Sequence, residues 1–213
     1  MKKSLTIAAA VLCAVFALSS CSKAAAKKNF ILATGGTSGT YYPFGGAIAN
    51  IWNTKIDNMN VTAQATGASA ENLRLISKGE AEFAIVQNDV MSYAYTATDL
   101  FSGEDPITNF SAVCSCYPEY VQILSNTDIT SIEQLAGKNV SVGDAGSGTE
   151  FNAKQILAAY GLSFDDINVS NQSFADSADS LKNGTIDAAF VVAGYPPTAV
   201  TELSTSYNFK SMD

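Results

Sequence analysis

With 213 residues, 47% of them apolar and 15% charged, the chain can bury a substantial core in one large or two small domains, which excludes a disordered protein. Acidic residues outnumber basic ones 20 to 12, a net charge of −8, so nucleic acid is excluded as a partner. Histidine is absent and Arg74 is the single arginine, which deprives imidazole-based catalysis and zinc binding of their usual groups.

The N-terminus has the layout of an export signal: Lys2 and Lys3, an uncharged stretch from Leu5 to Leu18, then Leu18-Ser19-Ser20-Cys21. That stretch is shorter than the roughly 20 apolar residues a spanning helix needs. Leu-Ser-Ser-Cys resembles a bacterial lipobox, whose cysteine becomes the acylated first residue of the mature protein; the plainer alternative is an ordinary signal with an incidental cysteine. The expected layout is a lipoprotein signal peptide over 1–20, a Cys21 anchored by its lipid in the bilayer, and a tether over 21–28. Without residues 1–20 the net charge becomes −10. The protein is expected to be exported, at the periplasm or cell surface.

Beyond the tether, Ile31 to Thr34 reads as a buried strand and Tyr42 to Ile56 as a helix with apolar residues three and four apart. A strand near Val61 to Ala65, a helix from Ala70 to Ser77 ended about Gly79, and an apolar strand from Phe83 to Val86 follow. Asn88 or Asp89 can cap the next helix, and Asp99 to Asn109 reads as a surface loop. Ala112 to Ser125 is expected to be a strand pair broken at Tyr117-Pro118. Within it, Cys114 and Cys116 face opposite ways, so they read as small core residues rather than a disulfide. Thr130-Ser131-Ile132-Glu133 starts a short helix that Gly137 stops. Strand Asn139 to Val142, helix Thr149 to Tyr160, strand Ile167 to Val169, helix Phe174 to Leu181 and strand Ala188 to Val192 come next. Pro196 and Pro197 open a last helix, and Phe209 begins a strand with no room to finish.

Two segments occur twice. Ser-Gly-Thr stands at 38–40 and 147–149, each time where a strand runs into a helix, and SKGEAEFAIV (77–86) matches KNGTIDAAFV (182–191) in a glycine, an acid three positions on, and an apolar strand. The implied fold is α/β with two similar lobes of mainly parallel sheet flanked by helices. Lobe one covers 29–113, a hinge or crossover 114–125, and lobe two 126–213, the second lobe being the more complete.

Both junctions suit an anion. The first amides of a helix lack intrahelical acceptors and carry partial positive charge, so a carboxylate or phosphate binds there without a basic side chain. Gly36, Gly39, Gly146 and Gly148 let the backbone approach a ligand, while Ser38, Ser147 and Thr149 add hydroxyls or simply cap. Glu150 and the turn Gln87-Asn88-Asp89 are placed to receive an ammonium or hydroxyls; equally, Glu150 is a first-turn acid and Asp89 an N-cap. Tyr41, Tyr42 and Tyr195 can cover an aliphatic ligand body or serve the core or surface. Enzyme motifs fail: Gly36 to Thr40 misses the G-x-S-x-G elbow, no lysine completes a P-loop, and 143–148 has dinucleotide glycines in the wrong order. The chain reads as a binding protein, not an enzyme, with no cofactor and no metal.

Taken together, ATGGTSGTYYPFGGAIA, GEAEFAIVQNDV, YPEYVQIL, VGDAGSGTE and IDAAFVVAGYP resemble the TAXI branch of TRAP-transporter solute receptors. The resemblance implies a two-lobed periplasmic-binding-protein fold of the class II type, and a receptor that closes over glutamate, glutamine or a related small carboxylate. It also implies delivery to the membrane subunits of a TRAP transporter. Gly36, Thr37, Ser38, Gly39, Tyr41, the Gln87 to Asp89 turn and Gly146 to Thr149 would line the site. The family's C-terminal return, which completes lobe one, has no counterpart before Asp213, so the chain is expected to be a fragment or a truncated reading frame. Two alternatives stand beside this reading: an oxyanion receptor on the same fold, and a ligand sensor or degenerate surface lipoprotein with no transport role.

Overall fold

The computed structural model describes residues 27–126 and 128–212. The signal peptide over 1–20 and the lipidation site Cys21 lie outside these residues, as does most of the tether.

The chain folds into two α/β lobes, each around its own sheet. The first runs β1 (Lys28–Ala33), α1 (Tyr41–Lys55), β2 (Met59–Gln64), α2 (Ser69–Lys78), β3 (Phe83–Ala84) and α3 (Asn88–Thr96), its sheet parallel in the order β2-β1-β3. The second runs β4 (Tyr120–Ser125), β5 (Asn139–Ser141), α4 (Gly148–Ala159), β6 (Asn168–Ser170), α5 (Phe174–Lys182), β7 (Ala188–Ala193), α6 (Thr198–Ser206) and β8 (Lys210–Met212). Its five strands lie in the order β6-β5-β7-β4-β8. β5 pairs in parallel with β6 and β7, whereas β4 runs antiparallel to both β7 and β8. The expected parallel sheet is therefore complete in the first lobe and only half of the second.

β7 shows why an uninterrupted apolar run is a strand here. All six of its residues are buried, because helices cover both faces of the sheet. Ala188 and Phe190 pack with Ala153 and Leu157 of α4, while Ala189, Val191 and Ala193 pack with Leu181 of α5 and Val200 and Leu203 of α6.

The duplicated segments perform the same work in both lobes. Gly79 and Gly184 take left-handed backbone, φ 70° in each, and end their helices: Glu80 N–H bonds the Leu75 carbonyl, and Thr185 N–H bonds that of Ser180. The acid three positions on closes the next turn against the lobe's leading strand. Glu82 Oε2 accepts the Ile31 amide at 2.7 Å, and Asp187 Oδ2 accepts that of Asn139 at 2.9 Å. The repeated acid is thus a structural clamp.

Several sequence expectations are corrected. Residues 111–119 form no strand, so Cys114 and Cys116 have no sheet to bury them and both are exposed, unbridged thiols. Strand β8 does form, because β4 offers it an antiparallel partner. The helix after Ser131 is one 3₁₀ turn, Ile132–Leu135, whose reciprocal cap uses Gln134 rather than Glu133. Within the expected loop at 99–109, Asp99–Phe101 forms a 3₁₀ turn that buries Phe101 completely under the Arg74 guanidinium, 4.7 Å from the ring centre. Among the described residues no helix is long and apolar enough to cross a membrane.

Candidate functional site

The carboxyl ends of β1, β3, β5 and β7 all open toward the space between the lobes, where open α/β sheets bind ligands. A cleft there encloses about 510 Å³, counting its mouth. Helix starts from both lobes reach it: Thr40 and Tyr41 of α1, Ala68 and Ser69 of α2, Gln87 capping α3, Ser147 to Thr149 of α4, and Phe174 of α5.

The two Ser-Gly-Thr copies sit at the cleft but differ in detail. In the second lobe Ser147 is the N-cap of α4, its hydroxyl accepting the Glu150 amide at 3.1 Å, and the helix starts inside the tripeptide at Gly148. In the first lobe the helix starts after the tripeptide. Thr40, freed from side-chain capping, donates its hydroxyl across the cleft to the Gly194 carbonyl at 3.0 Å.

Of the residues singled out in the sequence, Gly36, Ser38, Gly39, Tyr41, Gln87, Ser147, Gly148 and Thr149 line the cleft. The others do not. Thr37 and Asn88 are exposed, and Tyr195 is 72% exposed beyond the end of β7. Glu150 turns back on its own loop, its carboxylate taken by the Gly146 amide at 2.6 Å and by Asn171 Nδ2 at 2.8 Å. Asp89 belongs to the contact between lobes, where its Oδ2 accepts Asn152 Nδ2 at 3.2 Å. The N-cap of α3 is Gln87, not Asn88 or Asp89.

The lobes touch along a line of such contacts. Gln87 Nε2 donates to Asn152 Oδ1 at 3.0 Å, the Ala199 amide to the Ser38 carbonyl at 3.0 Å, and Gln155 Nε2 to Tyr93 Oη at 3.3 Å. The Tyr93 and Phe151 rings meet at a 60° tilt with centres 4.8 Å apart, and the Phe174 ring lies over Gly39. The Gln87 amide lies against Gly148 so closely that a Cβ at 148 would overlap it.

Sequence reasoning missed two acids of the cleft, Glu119 and Asp144. Glu119 enters from the irregular segment just before β4, and its Oε2 accepts the Tyr41 hydroxyl at 3.2 Å. Burial pushes its carboxyl up to about 7; the Tyr41 and Gln87 hydrogen bonds oppose this and the Asp89 charge adds to it. Asp144 is also raised, by burial first and then by Asp176 and Glu71. Tyr41 is only 8% exposed, and its hydroxyl is held well above the usual phenol range by burial and by Glu119. The readable signal was an acid at the mouth of an apolar strand, Tyr117-Pro118-Glu119-Tyr120-Val121.

Residues 32–213 match the NMT1-like family, and the chain belongs to that family. Solved structures share its fold. The alkanesulfonate-binding protein SsuA from Xanthomonas axonopodis pv. citri, bound to MOPS, superposes with a TM-score of 0.59 at 15% identity, over 89% of this chain and 62% of that one. A putative L-cystine ABC transporter protein from Listeria monocytogenes gives 0.58 at 14% identity, covering 87% of this chain and 77% of that one. An ABC uptake transporter substrate-binding protein from Streptococcus pneumoniae with bound histidine gives 0.55 at 15% identity, covering 86% and 74%. The chain spans less than two thirds of the alkanesulfonate-binding protein's length.

The fold is therefore the mixed α/β periplasmic-binding-protein type, as expected from the sequence. The resemblance to TAXI receptors is corrected: the family is NMT1-like, and the Listeria and Streptococcus neighbours are ABC-transporter proteins. The physical reason lies in what carried the resemblance. A strand entering a Gly/Ser/Thr turn and a helix start, repeated in two lobes, is a property of the shared fold and does not distinguish transporter classes.

Proposed function

We propose that this protein is the extracytoplasmic solute receptor of an ABC-type membrane importer, tethered through an acylated Cys21, and that it closes its lobes over a small organic acid. The observation that carries the reading is the convergence of helix starts from both lobes on one cleft, with Ser38, Gly39, Tyr41 and Gln87 facing Ser147, Gly148 and Thr149. Peptide amides at those helix starts suit a carboxylate, and contacts made to both lobes at once exist only in the closed state, so a ligand shifts the hinge equilibrium. We place the hinge at 114–125, where the chain passes from one lobe to the other. The structural neighbours named for sulfonate, cystine and histidine binding support a small polar solute. An inorganic oxyanion fits less well, because Glu119 and Asp144 would face it.

Isothermal titration of the mature protein against short carboxylic acids and amino acids tests the reading. One saturable site is expected, and folded protein that binds none of them would overturn it. Labelling with a radioactive fatty acid tests the anchor, with incorporation expected for the natural chain and lost in Cys21→Ser.

A further inference from the structure

Two cleft acids have no basic partner among the described residues. No described lysine or arginine lines the cleft, the sequence has no histidine, and the single arginine is engaged outside the cleft with Glu104 at 2.6 Å. A carboxylate that loses water without gaining a counter-charge is costly, so such a pair is stable only if protonated or if something else brings the positive charge.

We propose that Glu119, with Asp144 on the same cleft, receives an ammonium group of the solute, so that the ligand is an amino acid or a similar zwitterion rather than a dicarboxylate. The inference rests on the receptor reading above and narrows its ligand class. Two features of the geometry support it. First, the cleft has two chemically opposite walls: helix-start amides at Thr40, Tyr41, Gly148 and Thr149 suit the carboxylate, and the two acids suit the amine. Second, Tyr41 from α1 and Gln87 at the start of α3 both hydrogen-bond the Glu119 carboxylate, so it is fixed in place rather than free to swing out to solvent. A dicarboxylate would set a second negative charge against desolvated Glu119, and Coulomb repulsion would oppose closure.

The test is a titration of the mature protein and of Glu119→Gln with the twenty common amino acids and their deaminated counterparts, such as glutaramate beside glutamine. The glutamine side chain can still accept the Tyr41 hydrogen bond, and thermal melting checks that the variant folds. The expected result is an amino acid that binds, a deaminated counterpart weaker by about tenfold or more, and a similar loss in Glu119→Gln. If deaminated acids bind as tightly as amino acids, or Glu119→Gln binds equally well or better, the ammonium assignment is overturned while the receptor stands. If neither class binds, the receptor reading fails and takes this assignment with it. Should Glu119→Gln not fold, Asp144→Asn takes its place in the same titrations, with the same expected loss and the same overturning results.

Discussion

Asn72 is a single buried side chain that holds the first lobe's cleft edge in shape. Its Nδ2 donates to the carbonyls of Thr34 at 2.6 Å and Ile85 at 2.8 Å, and its Oδ1 accepts the Thr66 hydroxyl at 2.6 Å. It joins the ends of β1 and β3 to the loop before α2. Asn72→Ala strips these partners in a fully buried position, and a loss of about 2–3 kcal/mol is expected from urea unfolding. The sequence offered no sign of this role, since a polar residue inside an amphipathic helix looks like a surface position. Glu119 was half hidden for a related reason: an acid at the mouth of an apolar strand can be read locally, but which lobe's helices the chain brings beside it cannot. Its titration gives a second expectation. The carboxyl sits near 4.5 in an unfolded chain and about 7 in the folded one, so the folded protein holds a proton that the unfolded chain releases between these values. This contribution is complete below pH 4.5 and disappears as pH rises through 7. Ligand-free protein should lose melting temperature between pH 5 and pH 8, and Glu119→Gln should flatten that slope in a series of thermal melts.

At the scale of elements, the repeat was the most legible feature of the chain. Gly79 and Gly184 are required by left-handed helix ends, and Glu82 and Asp187 by strand amides in need of an acceptor, so the same local chemistry wrote the same letters twice. Ser-Gly-Thr was legible as a helix start but not in its register, because whether the serine or the threonine caps depends on what lies opposite. Thr40 is drawn to the Gly194 carbonyl and Ser147 to its own helix. β4 and the start of β8 were legible as strands, but not their antiparallel setting, because pairing direction at a sheet's far side leaves no periodic signature in so short a strand. Close approach of α1 to β1 gives a test of packing. A Cβ on Gly45 would lie 2.6 Å from Thr34 Cγ2, which is itself fully buried. Gly45→Ala is therefore expected to destabilise by about 1–3 kcal/mol in denaturant melts, outweighing the gain of roughly 1 kcal/mol in helix propensity.

For the whole molecule, the proposed receptor function depends on two lobes that meet and part. The contacts of Asn152, which does not itself line the cleft, with Gln87 and Asp89 help hold them together. Asn152→Ala removes two hydrogen bonds worth about 1 kcal/mol each, so the closed fraction should fall by roughly tenfold or more relative to the open one. Small-angle scattering should register a larger radius of gyration for this variant than for the natural chain without ligand, and the same value once ligand saturates both. The central claim is that peptide amides at helix starts in both lobes grip one solute together. Amide hydrogen exchange with and without a saturating amino acid ligand tests it most directly. The account predicts slowed exchange in both Gly39–Tyr42 and Gly148–Glu150 on binding; protection confined to one lobe, or located away from both helix starts, would contradict it.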